Sequence, residues 1–340
     1  MANSVYTRQL GSTGLSLPPF GFGSAHLGGL YDRVSGDSAK LTLDTAWAGG
    51  VRYFDTAPWY GRGLAEHRIG NCLIDKPREE FVLTTKIGRY LRRPGNPRSF
   101  DRTPWDGGLN MEIVWDYSYD GVMRSYEQSL LRLGLDTIDG LLIHDPELEI
   151  HGDAHAERMR DMADSGIRAL EDLKRGGQIK AIGMGLNATA TLETIAPMVK
   201  LDFIVCAMPY TLLDQSALAN GMQRCIEEDI SIVIGSPYAS GILATGPGAA
   251  AHYNYGIASE DIQNKVRRIQ NVCAAHGVNL KAAALQFPLA HPAVVSVIPG
   301  GVSPEQVTEN IAMMSSPIPA GFWASLKSEG LIDPKAPVPA

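Results

Sequence analysis

Cysteine and long apolar runs are scarce in this sequence, and each absence narrows the class of protein. The 340 residues include only four cysteines, spaced far apart and without a CxxC pair: Cys72, Cys206, Cys225 and Cys273. Such cysteines are typical of reduced thiols, so we expect a cytoplasmic protein. No apolar run approaches the ~20 residues that a membrane helix needs, and the first residues lack the apolar segment of a signal peptide.

Positive charge is not in excess either. Lysine and arginine number 30 against 37 aspartates and glutamates, which gives a net charge of −7. No basic patch dominates, so neither nucleic acid nor a membrane is an expected partner. A composition with 44% hydrophobic and 20% charged residues is that of an ordinary globular protein. We expect a monomer or a weak homo-oligomer that acts on a small molecule.

Short apolar runs alternate with amphipathic segments along the whole chain. Eight runs are rich in β-branched or aromatic residues, and they cover 20–25, 51–57, 81–88, 138–145, 179–185, 203–209, 230–237 and 294–300. Their almost continuous apolar character is typical of parallel strands covered by helices. Helical patterns lie between them, for example at 35–49, 64–74, 120–133, 159–174 and 215–228.

Eight strand–helix units predict an α/β fold, a (β/α)8 TIM barrel that forms a single domain over residues 1–340. The alternative is a doubly wound sheet with an appended domain, which is less favoured because no linker or shift in composition marks a boundary. Two segments depart from the repeat. Residues 6–21, with GSTG at their centre, predict an N-terminal β-hairpin at the barrel floor. The loop 89–116 is long enough to be either functional or disordered.

Four chemically able side chains follow three consecutive predicted strands. Asp55 ends the second strand, Tyr60 follows on its loop, Lys86 lies in the third strand and His144 ends the fourth. Because barrel strands end at one mouth, these side chains are predicted to converge there. Each has a simpler explanation alone: a turn cap, an aromatic lid, a surface charge and a structural histidine, respectively. Their coincidence at three strand ends predicts a catalytic site.

The chemistry of these four groups suits proton transfer. A tyrosine hydroxyl has an ordinary pKa of about 10, and a nearby ammonium lowers that pKa by stabilising the phenolate. Lys86 is the predicted source of the charge, Asp55 the residue that holds Lys86, and His144 the group that orients a substrate oxygen. Such a set interconverts a carbonyl and an alcohol. It needs a cofactor, because no side chain accepts a hydride.

Several motifs, in this order, resemble those of the aldo-keto reductase family: GFG, FDTA with WYG, TTKIG, LLIHD, GMGLN, SPYASGIL and VIPGGVSPEQVTENI. The resemblance extends over nearly the whole chain. It implies a (β/α)8 barrel and nicotinamide-dependent redox chemistry. It also implies that Tyr60 is the general acid/base and that Asp55, Lys86 and His144 complete a catalytic tetrad.

The same resemblance implies an extended cofactor across the mouth, although a GxGxxG fingerprint is absent. The implied cofactor-binding residues are Ser24 and Asp55 near the nicotinamide ribose, Asn187 at the carboxamide, Ser236, Tyr238 and Ser240 along the pyrophosphate, and Gly301, Gln306, Glu309 and Asn310 at the adenosine end. The helix that begins near Ser303 would point its N-terminus toward the adenosine ribose.

Four positions depart from the family pattern. Many members carry a glutamine against the carboxamide where this chain has Ala207, and an aromatic stacked on the nicotinamide where it has Gly235. NADP-preferring members usually carry a lysine and an arginine where this chain has Gly300 and Gln306. Because a 2′-phosphate needs cationic partners, we predict a preference for NAD over NADP.

Within the family, segments such as TAPWYGRGLAEHRIG and YTLLDQ are most similar to L-fucose, D-threo-aldose and L-galactose dehydrogenases and to pyridoxal 4-dehydrogenase. This similarity implies oxidation of a cyclic hemiacetal to a lactone, with an aldose as first choice. The alternatives are pyridoxal, giving 4-pyridoxolactone, a general aldehyde reductase, and a cofactor-binding regulatory subunit that the intact tetrad disfavours.

The predicted substrate-binding residues are His26, Trp59, Tyr60 and His144. Further aromatic wall candidates are Tyr90, Trp105, Trp115 and Tyr238. Aromatic walls suit a sugar face and a pyridine ring alike, so they do not decide between the two substrates. Residues 151–157, HGDAHAE, contain two histidines, but neither their spacing nor their flanks match a metal-binding pattern. We therefore expect a solvated loop there and no metal site.

Overall fold

Eight parallel strands organise the chain. A computed structural model describes residues 6–339. The strands are β1 (Phe22–Gly23), β2 (Tyr53–Asp55), β3 (Val82–Ile87), β4 (Gly140–His144), β5 (Ala181–Leu186), β6 (Phe203–Cys206), β7 (Ser231–Ile234) and β8 (Val294–Val297). Each pairs with its neighbour in chain order, and a parallel bridge from Phe20 to Val297 brings the first and last strands together. The predicted barrel is confirmed.

Helices surround the sheet. The longer ones are Gly36–Ala48, Leu64–Leu73, Tyr119–Leu133, Ile167–Arg175, Glu260–His276, Pro304–Met314 and Ala320–Ser328. Shorter ones are Leu148–His151, His155–Asp161, Leu192–Ile195, Met222–Glu227, Ile242–Thr245 and Leu280–Gln286. Serine side chains at Ser35, Ser118, Ser259 and Ser303 accept the backbone N–H three residues on, which satisfies a free donor and fixes where those helices begin.

Two predicted helices differ from the observed ones. The helix expected at 159–174 begins at His155 and passes through a π turn, Met162–Gly166, before Ile167–Arg175. The helix expected at 215–228 is wrong for its first half, because Gly221 adopts a left-handed φ of 92° and only Met222–Glu227 is α-helical. Glycine readily adopts that conformation, which ends one helical segment before the next begins.

The N-terminal hairpin lies at the barrel floor as predicted. Arg8–Gln9 pairs antiparallel with Ser16–Leu17. Leu10 and Leu17 are fully buried and belong to the same apolar cluster as inward-facing strand residues such as Phe203. Removal of these side chains from water closes the floor, so the opposite end of the barrel is left for ligands.

Two further hairpins border the mouth. The β3 hairpin, Arg89–Arg92 paired with Glu112–Trp115, lies within the long loop after β3. The β7 hairpin, His252–Tyr253 paired with Gly256–Ile257, follows β7. All four cysteines are buried and unpaired. Within residues 6–339, no helix has the length and apolar character needed to cross a membrane.

Candidate active site

A buried ion pair lies at the mouth ends of β2 and β3. Lys86 Nζ is 2.7 Å from Asp55 Oδ1, and both side chains are only 2% exposed. The ammonium also donates to the Thr56 carbonyl at 2.8 Å, while Thr84 donates to the other oxygen of Asp55 at 2.6 Å. A buried charge is tolerated when it is paired and hydrogen-bonded. These contacts fix both charged groups.

Tyr60 lies beside this pair on the turn Tyr60–Gly63. Its ring centre is 5.3 Å from Lys86 Nζ and 5.9 Å from the perpendicular His144 ring. The turn reaches this position because a glycine faces it: a Cβ on Gly28 would lie 2.6 Å from the Tyr60 carbonyl carbon. The four residues predicted to be catalytic are therefore brought together.

Burial is the main influence on the pKa of Tyr60, and nearby ionisable groups modify it. Burial, with the Asp55 and Asp145 carboxylates adding to it, raises the pKa of Tyr60 well above its ordinary value, and the Arg89 cation acts in the opposite direction. The neutral phenol is thus the stable form in this structure. Lys86, the cation predicted to lower this pKa, lies 5.3 Å from the Tyr60 ring centre and is paired with Asp55 at 2.7 Å, and Arg89 is a second cation that lowers it.

Arg89 is a site residue that the sequence analysis missed. Its Nη1 lies 2.5 Å from His144 Nδ1, and its Nη2 donates to Asp145 at 2.6 Å. A guanidinium only donates, so His144 Nδ1 must accept and Nε2 carries the proton. Burial holds the pKa of His144 well below its ordinary value, Asp145 opposes this, and Arg89 and Lys86 reinforce it. His144 is therefore a neutral donor through Nε2.

The predicted carboxamide contact, Asn187, belongs to the same network. Its amide nitrogen donates to Asp145 at 3.3 Å, and its amide oxygen accepts from the Tyr255 hydroxyl at 3.1 Å. Its backbone N–H donates to Glu147 at 2.6 Å, and burial followed by Asp145 raises the pKa of Glu147 to about 7. Asp145 thus connects Asn187 to Arg89.

Tyr255 is the second residue that sequence reasoning missed. It lies at the tip of the β7 hairpin with a left-handed φ of 63°, which is unusual for a tyrosine. Gly235 lies where many family members carry an aromatic, and a Cβ there would lie 3.0 Å from the Val205 side chain. The aromatic that reaches Asn187 comes instead from the hairpin.

The residues predicted to hold the pyrophosphate lie on the loop after β7, and Ser24, predicted near the nicotinamide ribose, directly follows β1. Ser236 Oγ accepts the backbone N–H of Ser240 at 3.4 Å, and the Tyr238 hydroxyl donates to Asn310 at 2.6 Å. Ser24 Oγ is fully buried and has no partner among residues 6–339. A buried hydroxyl without a hydrogen-bond partner at a polar mouth fits a site that binds a ligand rich in hydroxyl groups.

The predicted adenosine end lies at the N-terminus of the helix Pro304–Met314. Gln306 accepts from the backbone N–H of Val302 at 2.9 Å, next to Gly301. Glu309 is paired with Lys281 at 2.7 Å, so this nearby cation is already neutralised. The observed contacts leave no free positive charge among the residues predicted for this end.

The predicted substrate residues divide into two groups. Trp59 contacts Trp105 edge-on, with ring centres 5.4 Å apart, and Trp105 in turn lies 5.8 Å from the Tyr60 ring. His26 instead packs against Gly300, where a Cβ would lie 2.7 Å from its Nδ1. His26 is therefore on the predicted cofactor side of the mouth, away from Trp59.

The segment 151–157, expected to be a solvated loop, is helical, and although four of its residues are exposed, His151 is not. His151 ends a short helix and is buried, with its ring centre 4.5 Å from that of Trp115 and its Nε2 3.2 Å from the Tyr117 hydroxyl. Histidine packs well between aromatic rings when its nitrogens have partners. No group of three or more His, Cys, Asp or Glu side chains within residues 6–339 is arranged to hold a metal ion.

Comparison with known proteins gives a consistent result. The profile of the aldo/keto reductase family matches residues 19–329. The chain is 39% identical over 334 residues to the pyridoxal 4-dehydrogenase of Microbacterium luteolum, covering 96% of this chain and 97% of that protein. It is 39% identical over 326 residues to the D-threo-aldose 1-dehydrogenase of a Pseudomonas species, covering 94% and 96%.

A plant relative and a solved structure extend this comparison. The L-galactose dehydrogenase of Arabidopsis thaliana is 30% identical over 318 residues, covering 92% of this chain and 88% of that protein. The holo form of an aldo-keto reductase from Bacillus halodurans has the same fold, with a TM-score of 0.75, 24% identity and 98% of both chains covered.

Proposed function

The chain belongs to the aldo/keto reductase family, and we propose that it oxidises the cyclic hemiacetal of an aldose to a lactone, with NAD as cofactor. As a member of this family it is an oxidoreductase that uses a nicotinamide cofactor. L-Fucose and D-threo-aldoses are the proposed substrates. The observation that carries the proposal is the buried convergence of Asp55, Lys86, Tyr60 and His144 at one mouth.

The polar lining of the mouth fits a nicotinamide dinucleotide. Ser24 offers an unpartnered buried hydroxyl, and Asn187 presents an amide. We propose that these two residues hold the nicotinamide half, that Ser236, Tyr238 and Ser240 hold the pyrophosphate, and that Gly301, Gln306, Glu309 and Asn310 hold the adenosine. When bound, the cofactor supplies the hydride acceptor that side chains lack.

The side chains account for the proton. In the overall reaction the anomeric carbon gives up a hydride and its hydroxyl gives up a proton. Tyr60, as phenolate, takes that proton, and the Nε2–H of His144 donates to the same oxygen and orients it. Lys86 and Arg89 provide the positive charge that a phenolate needs. Because burial and Asp55 raise the pKa of Tyr60, oxidation should accelerate with pH through the neutral and alkaline range.

NAD is the proposed cofactor because the residues predicted to bind the adenosine carry no free positive charge. A 2′-phosphate carries negative charge and is bound best by arginine or lysine. Gln306 and Gly300 carry no charge, and Glu309 would repel a phosphate if Lys281 were drawn away from it. Catalytic efficiencies measured with both cofactors test this point, and a higher kcat/KM with NADP would contradict it.

Pyridoxal is the second candidate substrate, and the similarity to a pyridoxal dehydrogenase together with an aromatic wall supports it. The pyridoxal 4-dehydrogenase of Microbacterium luteolum is as similar to this chain as the aldose enzyme is. Trp59 and Trp105 form an aromatic wall beside Tyr60. Such a wall stacks on a pyridine ring as readily as on a sugar face. The cyclic hemiacetal of pyridoxal would give 4-pyridoxolactone by the same proton transfer.

The test is a substrate panel. The purified protein is incubated with NAD+ and, separately, L-fucose, D-arabinose, L-galactose and pyridoxal, and NADH absorbance is followed while the lactone is identified by mass spectrometry. We expect the highest kcat/KM with an aldose. Oxidation of pyridoxal alone would favour the second candidate. Preferred reduction of simple aldehydes would favour a general reductase, and tight cofactor binding without turnover would favour a regulatory subunit.

A further inference from the structure

A cleft of about 320 Å³ lies beside the catalytic mouth, between the Tyr60 turn and the β3 hairpin. Its lining includes Trp59, Phe100 and Trp115 as aromatic walls and Arg62 and Arg89 as cations. This volume is near the lower end of the ~300–1,000 Å³ typical of small-molecule sites, which is enough for one substituted ring.

Two of the lining residues also border the reacting groups. Trp59 directly precedes Tyr60, and Arg89 Nη1 contacts His144 Nδ1 at 2.5 Å. A molecule in the cleft is therefore one side chain away from the catalytic residues. The cleft is placed to hold the part of a substrate that does not react.

Arg62 is a buried cation without a carboxylate partner within residues 6–339. The side chain is only 8% exposed, yet its guanidinium donates solely to the backbone carbonyls of Met111 at 3.3 Å and Asp101 at 3.4 Å. The two acids whose charge acts on Arg62 are already engaged: Asp101 accepts from Thr103 at 2.9 and 2.7 Å, and Glu112 is paired with Arg92 at 2.8 and 3.1 Å. A buried charge of this kind is stabilised by an anion.

Two hydrogen-bond donors without acceptors also indicate that an anion binds near these arginines. The Nε–H groups of Arg62 and Arg89 are both buried and have no acceptor within residues 6–339. Arg89 is 4% exposed, and its remaining nitrogens are committed to His144 and Asp145. Buried donors without acceptors are rare in native proteins. Both arginines of the lining therefore keep a hydrogen-bond donor that residues 6–339 do not satisfy.

The walls define the shape of that ligand. The Arg62 guanidinium carbon lies 4.8 Å from the Phe100 ring centre and 5.4 Å from that of Trp59. The Arg89 guanidinium carbon lies 3.8 Å from the Trp115 ring centre. Flat aromatic and guanidinium surfaces pack best against another flat surface.

We propose that this cleft is a substrate subsite that binds a planar ring carrying an anionic oxygen, through Arg62 and the aromatic walls. The proposal deepens and rests on the hemiacetal oxidation proposed above. It assigns Arg62 and Phe100 as residues that determine specificity.

Benzoate is a suitable unreactive probe, because it is planar and anionic. Cyclohexanecarboxylate has the same charge but is not planar. Binding of each acid to the full-length protein in the presence of NAD+ is measured by calorimetry, and benzoate is then tested as an inhibitor of hemiacetal oxidation. We expect benzoate to bind more tightly than cyclohexanecarboxylate and to compete with the hemiacetal.

Variants assign the binding to the cleft. Arg62→Gln should weaken benzoate binding about ten- to a hundredfold, as expected for the loss of one hydrogen bond to a charged group. Phe100→Leu leaves every charge in place and should reduce the preference for benzoate over cyclohexanecarboxylate several-fold. Arg93→Gln changes an exposed arginine of the same loop and should leave both affinities unchanged.

Three results would contradict the proposed subsite. These are equal affinity for the two acids, benzoate binding that neither Arg62→Gln nor Phe100→Leu alters, and inhibition that does not compete with the hemiacetal. Failure of the proposed function is distinguishable, because calorimetry needs no turnover. If no hemiacetal is oxidised, the function fails. If NADH forms but benzoate does not bind in the cleft, only the subsite fails.

Discussion

Replacement of Arg89 tests how this arginine controls the pKa of Tyr60 and the protonation of His144 at the mouth. Arg89→Met removes the donor to His144 Nδ1 and the 2.6 Å partner of Asp145, while the methionine keeps part of the contact with Trp115. Arg89→Lys is the matched variant, because an ammonium keeps the charge but cannot reach both partners in the planar geometry of a guanidinium. The comparison separates the charge of Arg89 from its geometry.

The expected magnitudes follow from these contacts. Removal of one partner of a buried ion pair leaves an uncompensated charge and costs about 3–5 kcal/mol of unfolding free energy. The side chains of Arg89 and Asp145 are 4% and 15% exposed, so Arg89→Met should approach that range, and Arg89→Lys should lose less. Loss of one charged hydrogen bond to His144, worth about 1.5–3 kcal/mol, should reduce kcat/KM by about ten- to a hundredfold.

The pH dependence of the oxidation rate tests the role of Arg89 more sharply than stability or kcat/KM at one pH. Arg89 lowers the pKa of Tyr60, so its removal raises that pKa further. Oxidation needs the phenolate, and its rate should therefore rise with pH. In Arg89→Met the rising limb should move to higher pH, whereas Arg89→Lys should keep it near that of the wild type. Stopped-flow measurement of NADH formation across pH supplies the profile, and a limb that stays in place or moves to lower pH in Arg89→Met would refute the reasoning.

Three further changes address the site from different directions. Lys86→Met leaves the Asp55 carboxylate buried without its cation, so urea denaturation should show a loss of about 3–5 kcal/mol, together with loss of activity. Gly28→Ala places a Cβ 2.6 Å from the Tyr60 carbonyl carbon, so kcat should fall at least tenfold as the Tyr60 turn is displaced by about 1 Å. Gln306→Arg supplies the missing cation at the adenosine end, and the ratio of kcat/KM with NADP to that with NAD should rise about tenfold.

The Lys86 and Gly28 changes each have a matched control. Lys40→Met removes an exposed helical ion pair and should cost only about 0.3–0.5 kcal/mol. Gly36→Ala introduces a Cβ with nothing within 4 Å and should leave kcat unchanged. Wild-type stability of Lys86→Met would contradict the role given to the Lys86–Asp55 pair, and full activity of Gly28→Ala would contradict the role of the close approach to Tyr60. An unaltered cofactor ratio in Gln306→Arg would contradict the explanation of the NAD preference.

The strands and their order could be predicted because their apolar runs are continuous. Parallel strands that are buried on both faces admit few polar residues, so runs such as 138–145 are recognisable without any alignment. The helix predicted at 215–228 is correct only for its second half. Its apolar pattern continues across Gly221, and a left-handed glycine conformation leaves no trace in hydrophobic periodicity.

The tetrad could be predicted for a related reason. Asp55, Lys86 and His144 are polar residues that interrupt apolar strands, and barrel topology places the ends of those strands together. Arg89 and Tyr255 could not be found in this way. Both lie in hairpins, where charged and aromatic residues are common, and only the return of each hairpin over the mouth brings them to His144 and Asn187.

His151 was predicted to lie in an exposed loop, and this prediction failed for a different reason. A polar segment rich in histidine and aspartate is usually solvated, so HGDAHAE predicted an exposed loop. The structure instead packs His151 against Trp115, a residue that lies 36 positions earlier in the chain. Burial that depends on a distant segment cannot be inferred from local composition.

The central claim is that Tyr60 takes the proton of a hemiacetal hydroxyl, and one measurement tests it most directly. Single-turnover NADH formation is compared between the wild type and Tyr60→Phe, with Tyr6→Phe, an exposed tyrosine, as control. We expect Tyr60→Phe to bind NAD nearly as well as the wild type and to oxidise the best hemiacetal about 10²–10⁴-fold more slowly, as for the loss of a general base. Turnover at the wild-type rate in Tyr60→Phe would contradict the account.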